Sequence, residues 1–259
     1  MLRIAPNIKP GAITYIRRVS TKLLITEITR MAKSFCVIGL QREGGRIQSL
    51  RPVRSLAKSW TCFPHQRGDV VEFSLLIAPG QPPHVEDRVS TRDFRKRTVV
   101  SESDLVAYLR KAECTDCLRG LFDCPIYPND SGRGAYALPG EARRSICGCQ
   151  TQNLRLEFYA SKLRATLVLG SGEVLRDLPV VDRDWLDFVD RALAAERGAN
   201  RLSRLERFLS SQFHYKIVSC PDHFVRVGLT RPYRASGERC YLMLDTLFPL
   251  PKADWLEEF

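Results

Sequence analysis

Four cysteines have the spacing of a metal site. Cys114 and Cys117 form a Cys-x-x-Cys pair, and Cys147 and Cys149 form a Cys-x-Cys pair downstream. Two thiolates at such spacing reach one tetrahedral zinc, with S–Zn distances of about 2.3 Å, and a second pair commonly completes the site. A structural zinc held by Cys114, Cys117, Cys147 and Cys149 would tie down the stretch 123–145, which is rich in Pro, Gly, Asn and Ser and reads as a long loop or an inserted element. The alternative is that Cys117 and Cys124 sit on a helix face as small apolar residues. Cys36, Cys220 and Cys240 lie in strand-like apolar runs and read as core.

A second constellation is the run Pro82-Pro83-His84-Val85-Glu86-Asp87. A loop with a histidine and two carboxylates can bind a divalent metal or act as an acid–base pair, the chemistry of a metal-dependent, nucleic-acid-processing hydrolase. Asp184 and Asp187 have i,i+3 spacing but fit a solvated helix face better, with Trp185, Phe188 and Val189 as its buried side. The chain has no Gly-x-Ser-x-Gly, no phosphate-binding glycine loop and no His-Glu-x-x-His.

Third, two apolar runs far apart end in an arginine set against a proline: Leu50-Arg51-Pro52 and Thr230-Arg231-Pro232. The proline restricts the preceding residue to extended backbone, which aims the guanidinium. Such an arginine either meets a ligand phosphate or pairs with a carboxylate at the core edge, here Asp69 or Asp245. Around the first site cluster Arg42, Arg46, Arg54 and Lys58, followed by Trp60 and Phe63; Arg234 follows the second. Basic groups beside aromatic rings are what a nucleic-acid strand requires. Arg46, Arg51, Arg54, Lys58, Trp60, Arg231 and Arg234 are therefore the candidate nucleic-acid contacts.

Charge points the same way. The net charge of the 259-residue chain is +11, and residues 1–100 hold all of it, with 18 Lys and Arg against 7 Asp and Glu. A localised basic excess favours a polyanionic partner over a merely solvated surface. With no run of 18 apolar residues, no membrane span is expected. Nine cysteines, an odd number, argue for a reducing, cytoplasmic setting rather than a disulfide framework. Residues 1–20 read as a flexible extension with scattered basic residues and no secretion signal.

The elements that must position these groups are mostly strands. Residues 23–29, 35–40, 46–52 and 68–77 read as four, with Gly44-Gly45 as a hairpin turn. A helix begins after Ser101 or Ser103, either of which can cap it. Strands resume at 154–160 and 163–169, turning at Gly170-Ser171-Gly172. Helices follow from Asp182 and Arg201, and strands close the chain. This is a mostly β fold of two modules, 21–150 and 151–259, each with helical insertions.

In their order and spacing, "LLITEITRM", "FCVIGL", "GRIQSLRPV", "GDVVEFSL", "PPHVEDR", "FVRVGLTRPY" and "CYLMLDTLF" resemble the bacterial dual-OB domain family from about Lys22 to the C-terminus. The resemblance implies two tandem OB-like small barrels and a role in handling RNA or DNA, with no established catalytic residues. It also allows a protein–protein adaptor. The expected function is non-enzymatic binding of single-stranded or structured nucleic acid.

Overall fold

A computed structural model describes residues 18–31, 34–54, 60–76, 80–159, 162–195, 201–209, 223–232, 238–252 and 255. The fold is mostly β and contains several sheets. Strand β1 (Arg18–Met31) is long enough to serve two neighbours. Its first half pairs antiparallel with β4 (Asp69–Leu76) and its second half with β2 (Ser34–Glu43). Leu24 belongs to both pairings, and the register shifts between Ile25 and Glu27, where an irregularity lets a strand bend. β2 and β3 (Arg46–Val53) form a hairpin through Gly44 and Gly45, both at the positive φ that such a turn needs. β3 pairs parallel with β5 (Asp87–Ser90), and β5 pairs with β4, which closes a five-stranded ring. β4 alternates buried and half-buried residues along its whole length, as a strand with one face in a core must. Leu23, Ile25, Ile28, Val37, Leu50, Val71, Phe73 and Leu75 fill the interior, joined by Trp60 and Phe63. Burying each such side chain contributes roughly 1.5–3 kcal/mol.

The second half of the chain repeats this succession. β9 (Ile146–Cys149) and β10 (Thr151–Tyr159) are separated only by Gln150. β10, β11 (Lys162–Leu169) and β12 (Val174–Pro179) form a meander, with Gly172 at positive φ in the turn after β11. Val180, just past β12, makes a parallel bridge to Leu244 in β14 (Cys240–Phe248). β14 pairs with β13 (Phe224–Leu229), and β13 returns to β9. In the first half the third strand pairs with the last in parallel and the fourth with the first antiparallel; in the second half the single Val180–Leu244 bridge and the β13–β9 pairing take the corresponding places.

Four helices accompany the sheets among the described residues. α1 (Glu102–Ala112) follows β6 (Arg95–Val99); the Ser101 hydroxyl accepts from the Asp104 amide at its start. α1 packs on β3, and its buried Leu105, Val106 and Leu109 join Leu40, Phe224 and Phe248 in a core shared by both halves. α3 (Arg183–Ala195) buries Trp185, Phe188, Val189 and Ala192, as its sequence anticipates. α4 (Arg201–Phe208) adds Leu205 and Phe208 to the same core.

Three expectations need correction. The strand β1 begins at Arg18, so residues 18–20 are not part of a flexible extension. Of the two readings of the stretch 123–145, the long loop fails and the inserted element fits. It holds β7 (Tyr127–Pro128) and β8 (Ala135–Ala137), and β8 extends the β14 sheet. Strands of two and three residues are too short to leave a period-2 signal. Finally, α2 (Leu118–Phe122), β8 and β9 pack into the second core rather than the first, so that core begins well before residue 150.

Candidate functional site

The two Arg-Pro ends converge on one carboxylate. Arg51 of β3 lies directly beside Asp87 of β5 in the parallel pairing. Its Nε donates to Asp87 Oδ1 at 2.5 Å, and the Nη2 of Arg231 donates to Oδ2 of the same carboxylate at 2.5 Å. Arg51 Nη2 also donates to His84 Nδ1 at 2.6 Å and to Ser145 Oγ at 3.2 Å. Glu86 accepts from the Ser145 amide at 2.8 Å and from its hydroxyl at 3.0 Å. Arg51, His84, Glu86 and Asp87 are all buried. The carboxylates and histidine that the alternative, hydrolase reading would use form a structural junction between the two halves. The partner is Asp87, not Asp69 or Asp245. Nor do the two arginines hold matching strand positions, since Arg51 lies within β3 and Arg231 lies beyond the end of β13.

Since a guanidinium is always a donor, the His84 ring accepts at Nδ1 and is neutral. Burial, with Arg51 and Arg231 and against Asp87, pushes its pKa down to about 3. Burial and Arg110 push His223 down to about 4. Unfolded histidine titrates near about 6.5, so on acidification the unfolded chain takes up these protons first. Stability from the two rings is thus fully present above that pH and is lost as pH falls toward their folded values, by up to about 1.4 kcal/mol per pH unit for each ring. Urea unfolding should show this loss between about pH 7 and about pH 5, and His84→Gln should remove part of the slope. Parallel slopes for variant and parent would exclude His84 as a source.

Two more buried arginines are consumed in the same manner. Arg67 donates to Asp182 at 2.5 Å and also to Thr246 Oγ1, while Asp182 caps α3 through the Asp184 amide at 3.0 Å. Arg226, with no exposed surface, meets Glu27, Glu113 at 3.1 Å and Ser49 Oγ at 2.7 Å.

Of the other expected nucleic-acid contacts, Trp60 is buried, with its Nε1 donating to the Pro52 carbonyl at 2.8 Å. Arg51 and Trp60 thus expose little surface, although Trp60 still lines a small cleft. Arg54 is half-buried beside Trp60, Phe63 and Phe94, and Arg46 is exposed on the β2–β3 hairpin. Lys58 and Arg234 lie outside the described residues. The cysteines divide. Cys147 and Cys149 are buried in β9, Cys117 is half-buried and Cys114 is exposed. The Thr115 amide donates to the Gly148 carbonyl at 3.1 Å, which brings the Cys-x-x-Cys loop beside β9. Burial pushes the Cys147 thiol up to about 12. Among the described residues, no group of three or more His, Cys, Asp or Glu side chains is arranged to hold a metal.

The exposed cations that sequence reasoning missed lie elsewhere. On β10–β12, Leu154, Leu156, Leu163, Ala165 and Leu167 point into the core, so Arg155, Glu157, Arg164 and Thr166 line the outer face. There a cleft of about 750 Å³ collects Arg133, Arg155, Arg164, Arg176 and Arg207. Glu157, Asp177 and Glu206 also line it, leaving a formal charge of +2. Arg155 pairs with Glu157 at 3.0 Å and Arg164 with Asp177 at 3.9 Å. Alternation of arginine with leucine along β10 and β11 is the one sequence signal that could have found this face.

No helix among the described residues is long and apolar enough to cross a membrane. No known family model, curated protein or solved structure matches this chain.

Proposed function

We propose that the protein binds single-stranded or structured nucleic acid, RNA or DNA, through two OB-type barrels of the dual-OB kind, and does not cleave it. The observation that carries this reading is the five-arginine cleft on the outer face of β10–β12. OB-type barrels bind strands across an exposed strand face and its flanking loops. Here the face belongs to the three-stranded sheet β10–β12, and the loop between β7 and β8 supplies Arg133. The parallel contact of third with last strand in both halves supports two barrels of one plan. Against a hydrolase stands the use of His84, Glu86 and Asp87 in the buried junction.

Binding of a labelled single strand, followed by anisotropy, should weaken steeply with salt, log K falling by about 0.7 per phosphate contact for each tenfold rise. Arg155→Glu with Arg176→Glu should weaken binding by at least about tenfold and flatten that dependence. Salt-insensitive capture of a protein instead would favour an adaptor, and magnesium-dependent shortening of the strand would favour the hydrolase. Unchanged affinity in the double variant would remove the cleft from the interface.

A further inference from the structure

We propose that the outer face of the first ring carries a nucleobase-stacking pocket built around Tyr108, which takes an unpaired base of a single strand. This rests on the nucleic-acid reading above and extends it to a second site with its own chemistry. The pocket lies where β1, β2 and β3 meet α1 and has a volume of about 400 Å³, within the range of small-ligand sites. Its floor is aliphatic. Leu24 stands opposite Leu40, and Ile47 stands opposite Arg42 two residues further along the same face of β2. These residues pack with α1, not with the ring interior. The rim is basic, with exposed Arg42 at one side and exposed Lys111 at the other.

Tyr108 closes the site from α1, one helical turn before Lys111, so both project from one face of the helix. Among the large hydrophobic side chains exposed in the described residues, Tyr108 is the only aromatic one, at 45% exposure. Gly45 lines the open edge, and a side chain there would meet nothing within 4 Å. Among the described residues no carboxylate lines the pocket, in contrast to the arginine cleft. An aromatic ring over an aliphatic floor receives a flat apolar-faced group, and two cations at the rim receive the phosphates on either side of it. A base in a duplex presents no free face to stack. The occupant is therefore a single strand, and a protein segment on the same patch is an outcome of the test.

Anisotropy with a labelled mixed-sequence single strand and a hairpin duplex of similar length separates the cases. Tyr108→Ser should bind the single strand about tenfold more weakly and bind the duplex as the parent does. Tyr108→Trp should keep single-strand affinity, with its indole fluorescence quenched on binding. Equal melting temperatures would establish that both variants fold. If the parent binds single strands in a salt-dependent manner and Tyr108→Ser binds them equally well, the pocket is wrong and the nucleic-acid reading stands. If the parent binds neither strand nor duplex, both fall, and a protein captured at Tyr108 would replace them.

Discussion

Replacing Arg226 with methionine is expected to cost about 3–5 kcal/mol of stability, because it strands a buried charge. Arg226 comes from β13 and reaches across to the first ring. There it meets Glu27, Ser49 Oγ at 2.7 Å and Thr26 Oγ1 at 3.4 Å, and it also meets Glu113 just past α1 at 3.1 Å. Glu27 is completely buried, and burial drives its carboxyl upward while Arg226 is the largest influence holding it down. Without the guanidinium, Glu27 must either stay charged in a low-dielectric site or bind a proton. Either course destabilises the fold. Replacing both partners at once, Arg226→Met with Glu27→Leu, should recover most of the loss, since an apolar pair of similar volume avoids both desolvation penalties. Urea unfolding of the two single variants and the double variant measures the coupling. Strictly additive losses would mean that the pair contributes nothing as a pair.

Asp87→Asn is the second large effect, also about 3–5 kcal/mol, or a fall in melting temperature on the order of 10 °C for a chain of this size. Asp87 pairs with both Arg-Pro arginines, and the two do not depend on it equally. Arg51 is buried, with its Nη2 spent on His84 and Ser145, neither of which carries a negative charge. The Arg231 side chain keeps 46% of its surface in water. Arg231→Ala should therefore cost no more than about 1 kcal/mol, since Arg51 still holds Asp87 and an exposed partner contributes little. Thermal melts of the two variants side by side decide the matter. If Arg231→Ala were as damaging as Asp87→Asn, the inequality argued from exposure would be wrong.

These networks show that a charge count alone does not locate the exposed charge of a fold. Residues 1–100 hold the whole formal excess, yet Arg51 and Arg67 within that span are interior groups matched by carboxylates. The balanced part of the chain contributes all five arginines of the exposed cleft. Net charge sums over residues and is blind to which of them face each other.

The sequence by itself determined what depends on neighbours in the chain. The buried-and-open alternation of β4, the Gly44-Gly45 turn, a serine cap of α1 at Ser101 or Ser103 and the apolar stripe Trp185, Phe188 and Val189 of α3 are local, because backbone geometry repeats every two or 3.6 residues. Tertiary structure alone decided the destinations of the polar side chains. Arg51 finds Asp87 across 36 residues, Arg67 finds Asp182 across 115 and Arg226 finds Ser49 across 177. Such pairs have no period, and a buried arginine looks like a solvated one until the sheets close over it. The same holds for β7 and β8, whose short runs become strands only because β14 offers them a free edge. It holds too for Tyr108, one more position on an amphipathic helix until β1, β2 and β3 supply an aliphatic floor beneath it.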